Sequence, residues 1–133
     1  MFKLNKEERA WVACGIASVA ASILLAAYGR HGMQGEEIQM RWGIAVEYMR
    51  FMGLGAVVMV LVRNATGPAE RGCWPQRLLG IGTACFCGML FAECAWPNAV
   101  LLSKIGWVAP LGGIIMTTSW LAFLLEFIRP NRR

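Results

Sequence analysis

Four long apolar stretches, separated by short polar segments, dominate the pattern along the chain. They cover residues 10–28, 43–62, 78–96 and 105–125. Each has about the 20 residues that a helix needs to cross the hydrocarbon core of a bilayer. A spanning segment must satisfy its own backbone hydrogen bonds in lipid. The pattern therefore predicts an all-α fold, an integral membrane four-helix bundle that forms one domain over residues 1–133.

The composition agrees with a membrane protein and changes how the positive charge is interpreted. The sequence is 57% hydrophobic and 16% charged, with a mean hydropathy of +0.50 and a net charge of +5. A basic protein of this size could bind nucleic acid, but here the charges cluster at the ends of the apolar stretches and form no basic stripe. We therefore expect the lipid bilayer as a partner and no nucleic acid.

Lysines and arginines near the ends of the stretches predict the orientation in the membrane. On the side of the two chain termini lie Lys3, Lys6, Arg9, Arg63, Arg71, Arg77, Arg129, Arg132 and Arg133. On the other side lie Arg30, Arg41, Arg50 and Lys104. Both termini are therefore expected in the cytoplasm, and the membrane is expected to be the bacterial inner (plasma) membrane. The first stretch is longer than the apolar core of a signal peptide and is expected to be retained.

Small residues spaced four apart predict where the helices touch, because helices in lipid associate through close backbone approach. The residues concerned are Ala13, Ala17 and Ala21 in the first stretch, Gly80, Ala84, Gly88 and Ala92 in the third, and Pro110, Gly112 and Gly113 early in the fourth. The last group is also expected to bend or loosen its helix. Packing inside the bundle is the first interpretation, and contact with another subunit or a second copy is the alternative.

Polar side chains inside or beside the apolar stretches are the candidates for function, because charge at membrane depth is costly. All lie toward the end opposite the termini: Arg30, His31, Glu47, Tyr48, Arg50, Glu93 and Lys104. Glu47 and Arg50 are three residues apart on one helix, so they can pair directly across one turn. Three interpretations stay open: a self-neutralised pair at the interface, a proton-linked or anion-binding site, and contact with a lipid head group or another subunit.

No motif in the sequence indicates an enzyme or a bound cofactor. His31 is the only histidine, so a haem held by two histidines within one chain is excluded, and no zinc-ligand spacing occurs. Five cysteines, an odd number mostly inside apolar stretches, predict small buried residues rather than disulfides. We expect no metal, no cofactor and no enzymatic activity. Trp42, Trp74, Trp96 and Trp107 lie near the ends of the stretches and are expected to be interfacial anchors.

Three segments, in the right order, resemble a known family. Residues 27–33 (AYGRHGM) resemble the A-F-G-A-H-G-L that ends the first helix of the YgdD/YwdK-like small membrane family, a domain of unknown function. Residues 42–48 (WGIAVEY) resemble its W-x-x-A-V-x-Y, and residues 109–113 (APLGG) resemble its T-P-x-G-G. The resemblance implies the same four helices. It also implies that Met52 stands where the family has a second histidine, and that Arg30 replaces a small residue.

The leading hypothesis is a small membrane protein without enzymatic activity, an accessory or assembly subunit of a larger membrane complex. It rests on the short connections, the small-residue faces and the lack of a catalytic set of residues. The alternative is a small proton-linked transporter or channel that uses the charged cluster near the non-cytoplasmic face. Small multidrug-type exporters depend on a carboxylate deep in their first helix, and residues 10–28 contain none.

Overall fold

Helices make up nearly all of the described chain. The computed structural model describes residues 3–66 and 73–128. Its elements are α1 (Lys6–Gly32), α2 (Glu36–Thr66), α3 (Trp74–Ala95), the short α4 (Val100–Lys104) and α5 (Val108–Ile128). In these ranges no strand occurs, and α1, α2, α3 and α5 are long and apolar enough to cross a membrane. The predicted all-α membrane fold with four spanning helices is confirmed.

Polar residues extend the helices beyond the apolar stretches that predicted them. At the start of α1 the Glu8 N–H donates to Asn5 Oδ1 at 2.8 Å, and the Asn5 N–H donates to Glu8 Oε2 at 3.2 Å. This reciprocal capping box lets the helix begin within its polar N-terminal segment. The turn between α1 and α2 uses Gly35, whose φ of 99° suits glycine. α2 then begins at Glu36, before its apolar stretch.

The start of the last spanning helix differs from the prediction. Lys104 ends the short α4 and does not open the spanning helix, which begins at Val108 after an irregular turn. Pro110 lies in the first turn of α5, where its missing N–H removes no helical hydrogen bond. The helix is unbroken from there to Ile128, so the loosening predicted at residues 110–113 is wrong, while the bend stays a prediction.

The spanning helices pack in chain order, α1 on α2, α2 on α3 and α3 on α5. Antiparallel packing brings the start of α1 and the end of α5 to the same end, called here the terminal end; the other is called the opposite end. The core has two clusters of buried side chains: Ala56, Met59, Leu79 and Phe123 toward the terminal end, and Trp42, Val46 and Cys94 toward the opposite end. Among the four spanning helices α1 is the least covered, with only Gly15, Ser22 and Gly29 buried.

Glycines make the closest helix contacts, but mostly not the glycines that the spacing predicted. A Cβ on Gly15 would collide with the backbone carbonyl of Gly53, where α1 meets α2. A Cβ on Gly82 would lie 2.7 Å from the backbone nitrogen of Met116, and one on Gly112 would lie 2.5 Å from that of Phe86. These positions therefore need glycine for the backbones to approach.

The predicted small-residue faces are only partly correct. Gly112 packs tightly on α3, and the Trp11 ring covers Gly80. A Cβ added at Gly113 would lie 3.9 Å from the Phe86 ring, and Ala21 and Ala92 are half-buried. The intramolecular packing predicted for the other positions is wrong, because these residues are exposed: Ala13, Ala17, Ala84, Gly88 and Pro110. The neighbouring helices use a different stripe on α1 and on α3, so these two faces are left uncovered.

Candidate functional site

The predicted polar cluster divides among different surfaces of the bundle. Arg30, Glu47 and Arg50 line one cavity, Glu93 lines a second and Tyr48 a third. His31 and Lys104 are exposed on the helix ends. α2 separates these surfaces, since successive residues of a helix point in different directions. The seven residues therefore do not form one site.

The first cavity lies between α1 and α2 and has a volume of about 450 Å³. We call it the α1–α2 pocket; its lining residues are Ala26, Gly29, Arg30, Gln39, Trp42, Gly43, Val46, Glu47, Arg50 and Phe51. Arg50 Nε donates a hydrogen bond to Ser22 Oγ at 3.2 Å, and Ser22 is fully buried. This contact attaches the charged α2 residue to α1.

The predicted ion pair between Glu47 and Arg50 is wrong. The structure has no ion pair within 4.0 Å between them, and in the described ranges Glu47 and Arg30 have no charged partner at that distance either. The Arg50 side chain is held by Ser22 on the neighbouring helix, and this contact competes with an ion pair between Arg50 and Glu47. The pocket therefore contains two guanidinium groups and one carboxylate that are not paired with each other.

The position of Ser22 shows how deep the pocket reaches. Ser22 lies about 12 Å from Arg30 along α1 at the helical rise of about 1.5 Å per residue. Because Arg50 contacts Ser22, its guanidinium lies well inside the level of Arg30. Beside it, Phe51 is exposed on the outer surface of α2. The pocket thus extends from a charged helix end into the apolar region.

Trp42 is a structural residue, and its predicted role as an interfacial anchor is wrong. Its side chain is 7% exposed, and its Nε1–H donates to the backbone oxygen of Leu25 at 2.7 Å. Its ring packs directly over Gly29 and meets Phe91 edge-on at 4.6 Å between centroids. The tryptophans at the other three predicted anchor positions, Trp74, Trp96 and Trp107, are exposed.

A second charged group at the opposite end joins the predicted Glu93 to Arg41 and Glu37, a pairing that the sequence reasoning missed. Arg41 Nη2 lies 2.8 Å from Glu37 Oε1, and Arg41 Nη1 lies 3.8 Å from Glu93 Oε2. These contacts join α2 to α3 beside Trp96 and Ser103, in a separate cavity. The spacing of Glu37 and Arg41, four residues apart on a helix, was a signal that could have found this pair.

The terminal end contains a buried charged pair that the sequence reasoning took for connecting-segment charge. Arg63 Nη2 lies 3.0 Å from Glu126 Oε1, and the Arg63 side chain is 8% exposed. Gln76 is fully buried close to the start of α3. Arg77 forms a two-atom contact with Glu7, at 2.7 and 3.0 Å. The predicted orientation in the membrane also used four arginines that lie outside the described residues: Arg71, Arg129, Arg132 and Arg133.

The cysteines behave mainly as small core residues. Cys73, Cys87 and Cys94 are buried, whereas Cys14 is exposed, against the prediction, and all five are free thiols. The thiols of Cys87 and Cys94 contact backbone oxygens of α2 at 3.3 and 3.5 Å. In residues 3–66 and 73–128, no group of three or more His, Cys, Asp or Glu side chains is placed to hold a metal ion.

An apolar groove of about 400 Å³ runs between α1 and α3 over the middle of α2. We call it the α1–α3 groove. Its lining residues are Trp11, Cys14, Gly15, Ser18, Met49, Met52, Gly53, Ala56, Leu79, Gly80, Thr83, Ala84, Cys87, Gly88 and Phe91. None of them is charged, and three of the seven α3 residues, Gly80, Ala84 and Gly88, are small residues that the spacing had singled out. Gly88 is open: nothing lies within 4 Å of a Cβ added there.

Comparisons with known proteins agree with this architecture. A family described as "Protein of unknown function (DUF423)" matches residues 25–113. A UPF0382 membrane protein of Schizosaccharomyces pombe is 31% identical over 109 residues, which cover 78% of this chain and 89% of the relative. A UPF0382 membrane protein of Staphylococcus haemolyticus is 24% identical over 119 residues, which cover 87% of this chain and 93% of the relative. No solved structure matches the chain.

These relatives confirm a membrane protein and a family of unknown function. One relative comes from a yeast and one from a bacterium, so the bacterial inner membrane stays a prediction, as does the narrower YgdD/YwdK-like identity. The family match covers the end of α1, all of α2 and α3, and the start of α5. The chain belongs to the DUF423 family of proteins of unknown function.

Proposed function

We propose that this protein is a non-enzymatic membrane subunit that binds a transmembrane helix of a larger membrane complex in its α1–α3 groove. The observation that carries the proposal is the uncovered small-residue face of α3. Ala84 and Gly88 are exposed within the groove, because α1 packs on α2 and leaves this face free. Faces of this kind are where helices approach each other in lipid.

The chemistry of the groove defines the occupant. A partner helix needs an apolar surface, because the groove has no charged lining residue. It also needs bulky side chains spaced about one turn apart, since the exposed Ala84 and Gly88 leave room for such a ridge along roughly one helical turn. The floor of the groove contains Met49 and Met52, whose flexible side chains adapt to an inserted surface.

The transporter or channel hypothesis draws its support from Glu47, which has no ion pair in the described ranges. A proton path across the bilayer also needs titratable groups between the two ends. α1 has no charged residue between Arg9 and Arg30, and α2 has none between Arg50 and Arg63. The geometry therefore supports helix binding better than transport.

Site-specific photo-crosslinking in intact membranes tests the helix-binding proposal. A photo-reactive residue at Ala84 or Gly88 is expected to crosslink to one and the same partner polypeptide, identified by mass spectrometry. The matched controls are Ile114 and Leu121 on α5, which are exposed but outside the groove. Adducts with lipid alone, or the same protein adducts from the control positions, would overturn the proposal. A crosslink only to a second copy of this chain would overturn the partner subunit and show that the groove serves self-association.

Filling the groove provides a second test with an internal control. Gly88→Leu adds a side chain where a Cβ meets nothing within 4 Å, so the fold is expected to remain stable. The crosslink from position 84 is expected to disappear, because the added side chain occupies the place of the partner helix. Gly43→Leu, also free of contacts at its Cβ but outside the groove, should leave the crosslink intact. Unchanged crosslinking in Gly88→Leu would contradict the proposed docking surface.

A further inference from the structure

We propose that the α1–α2 pocket binds the phosphoethanolamine head group of a membrane phospholipid. In this assignment Arg30 and Arg50 contact the phosphate, and Glu47 accepts hydrogen bonds from the primary ammonium. The site is different from the α1–α3 groove, and it does not depend on the function proposed above. Its basis is the match between the charges of the pocket and the charges of the head group.

The charges in the pocket are arranged for an external ligand. Arg50 uses its Nε for Ser22, and this bond orients the side chain while no ion pair in the described ranges occupies its two Nη groups. Arg30 and Glu47 line the same cavity and have no ion-pair partner in those ranges. Guanidinium groups bind phosphate oxygens through charge-assisted hydrogen bonds. The carboxylate offers acceptors for the positive end of the same ligand.

The depth of the pocket favours a ligand that contains both charges. Arg50 and Glu47 lie inward of Arg30, beside an apolar surface that includes Phe51, Val46 and Ala26. Unpaired charges at such depth are costly, and a ligand with a phosphate and an ammonium group neutralises both kinds. The volume of about 450 Å³ is in the range of small-ligand sites.

The apolar side of the pocket favours a lipid over a soluble phosphate ester. Phe51 is 58% exposed on the outer surface, next to Arg50. Acyl chains of a bound lipid would extend along this surface and bury it, whereas a soluble ester would leave it uncovered. Because the pocket lies between two spanning helices, a lipid can reach it from the bilayer.

Glu47 provides the selectivity among head groups. A primary ammonium donates hydrogen bonds to the carboxylate, while the quaternary ammonium of a choline head group has no N–H to donate. A glycerol head group has no positive charge, so it leaves Glu47 unpaired. We therefore expect ethanolamine phospholipid to bind better than choline or glycerol phospholipid, by on the order of tenfold, which corresponds to about one charge-assisted hydrogen bond.

Lipid binding to the purified full chain tests this assignment. The chain is delipidated in mild detergent, and ethanolamine, choline and glycerol phospholipids with identical acyl chains compete for it, with bound lipid counted by native mass spectrometry. Glu47→Gln is expected to lose the preference for the ethanolamine lipid and to gain relative affinity for the anionic glycerol lipid. Arg50→Gln and Arg30→Gln are expected to weaken binding of all three lipids. Arg41→Gln, in the separate cavity at the same end, is the matched control and should leave binding unchanged.

Two results would overturn the assignment. One is equal binding of the three lipids to the unmodified chain, or a preference that survives in Glu47→Gln. The other is equally strong binding of glycerophosphoethanolamine, which has the same head group without acyl chains. Thermal unfolding without added lipid checks that each variant is folded. Gly88→Leu should retain lipid binding, so a failure of the helix-binding proposal is distinguishable from a failure of this one.

Discussion

Charged residues at the terminal end and in the α1–α2 pocket are arranged in opposite ways. At the terminal end Arg63 pairs with Glu126 and Arg77 pairs with Glu7, in each case between different helices. In the α1–α2 pocket at the opposite end, the charged groups form no ion pairs in the described ranges. The buried Arg63 needs a partner inside the protein, whereas the more exposed charges of the pocket are free to contact a ligand. The charges at the terminal end therefore join helices, whereas those of the α1–α2 pocket offer a binding surface.

The largest effect is expected when the buried pair is broken. Glu126→Leu removes the carboxylate that lies 3.0 Å from Arg63 and leaves a buried guanidinium without it. Loss of one partner of a buried pair costs about 3–5 kcal/mol in the free energy of unfolding. Reversible unfolding of the chain in micelles measures this loss.

A double variant provides the control for the buried pair. Combining Glu126→Leu with Arg63→Met replaces both charges by apolar side chains of similar volume and should recover most of the stability. A Glu126→Leu variant as stable as the unmodified chain would show that the paired charges at the terminal end stabilise the fold no more than the unpaired charges of the α1–α2 pocket.

The next effect has the opposite sign. Gln76 is fully buried, and neither its amide nitrogen nor its amide oxygen has a hydrogen-bond partner among the described residues. Gln76→Leu removes two desolvated polar groups, each of which costs about 1–3 kcal/mol when unsatisfied, so we expect an increase in the free energy of unfolding of at least about 1 kcal/mol. The same micelle unfolding assay measures it, with Gln34→Leu in the exposed turn between α1 and α2 as the control. A clear loss of stability would contradict the expectation that this amide is unsatisfied.

A smaller effect is expected for the exposed pair at the terminal end. Arg77→Gln removes the two-atom contact with Glu7, whose pairing with Arg77 is exposed to solvent. Because exposed ion pairs contribute little and are screened by salt, the loss should be slight and should disappear at high salt. Unfolding measured at low and high salt checks this. A large, salt-independent loss would show that the pair of Arg77 and Glu7 stabilises the fold as the buried pair of Arg63 and Glu126 does.

The smallest effect is expected in the α1–α2 pocket. Glu47 has no ion pair in the described ranges, so Glu47→Gln should change the free energy of unfolding without added lipid by less than about 0.5 kcal/mol. The variant for comparison is Glu126→Gln, which makes the same chemical change in the buried pair. Measuring the two variants side by side is the sharpest test of the difference between the ends. Equal losses in both variants would show that Glu47 has a structural partner.

The spanning helices were predictable, but their packing faces were not. Each helix presents several stripes of small residues, and spacing alone does not choose among them. On α1 the stripe chosen from the sequence contained Ala13 and Ala17, whereas the contact with α2 uses Gly15 and Ser22. In a soluble protein the hydrophobic pattern would select the buried face. In a membrane helix all faces are apolar, so that signal is missing.

The same limit applies to the candidate site. The rule for residues three apart on a helix predicted that Glu47 would pair with Arg50, but Ser22 on the neighbouring helix holds the arginine instead. The sequence also grouped Tyr48 with these charges, although its ring packs on Phe86 at 4.8 Å between centroids, away from them. The sequence correctly placed these residues toward the opposite end of the bundle. It did not predict how they divide among different surfaces.

The sequence by itself determined the membrane character, the four spanning helices and the concentration of polar residues at their ends. These follow from the length and hydropathy of each segment, which are local properties. Only the tertiary structure decided that Arg63 is buried against Glu126, that Arg50 contacts Ser22, and that Ala84 and Gly88 remain uncovered. These depend on how each helix is rotated and placed against its neighbours, and close glycine contacts such as Gly82 on Met116 establish that placement.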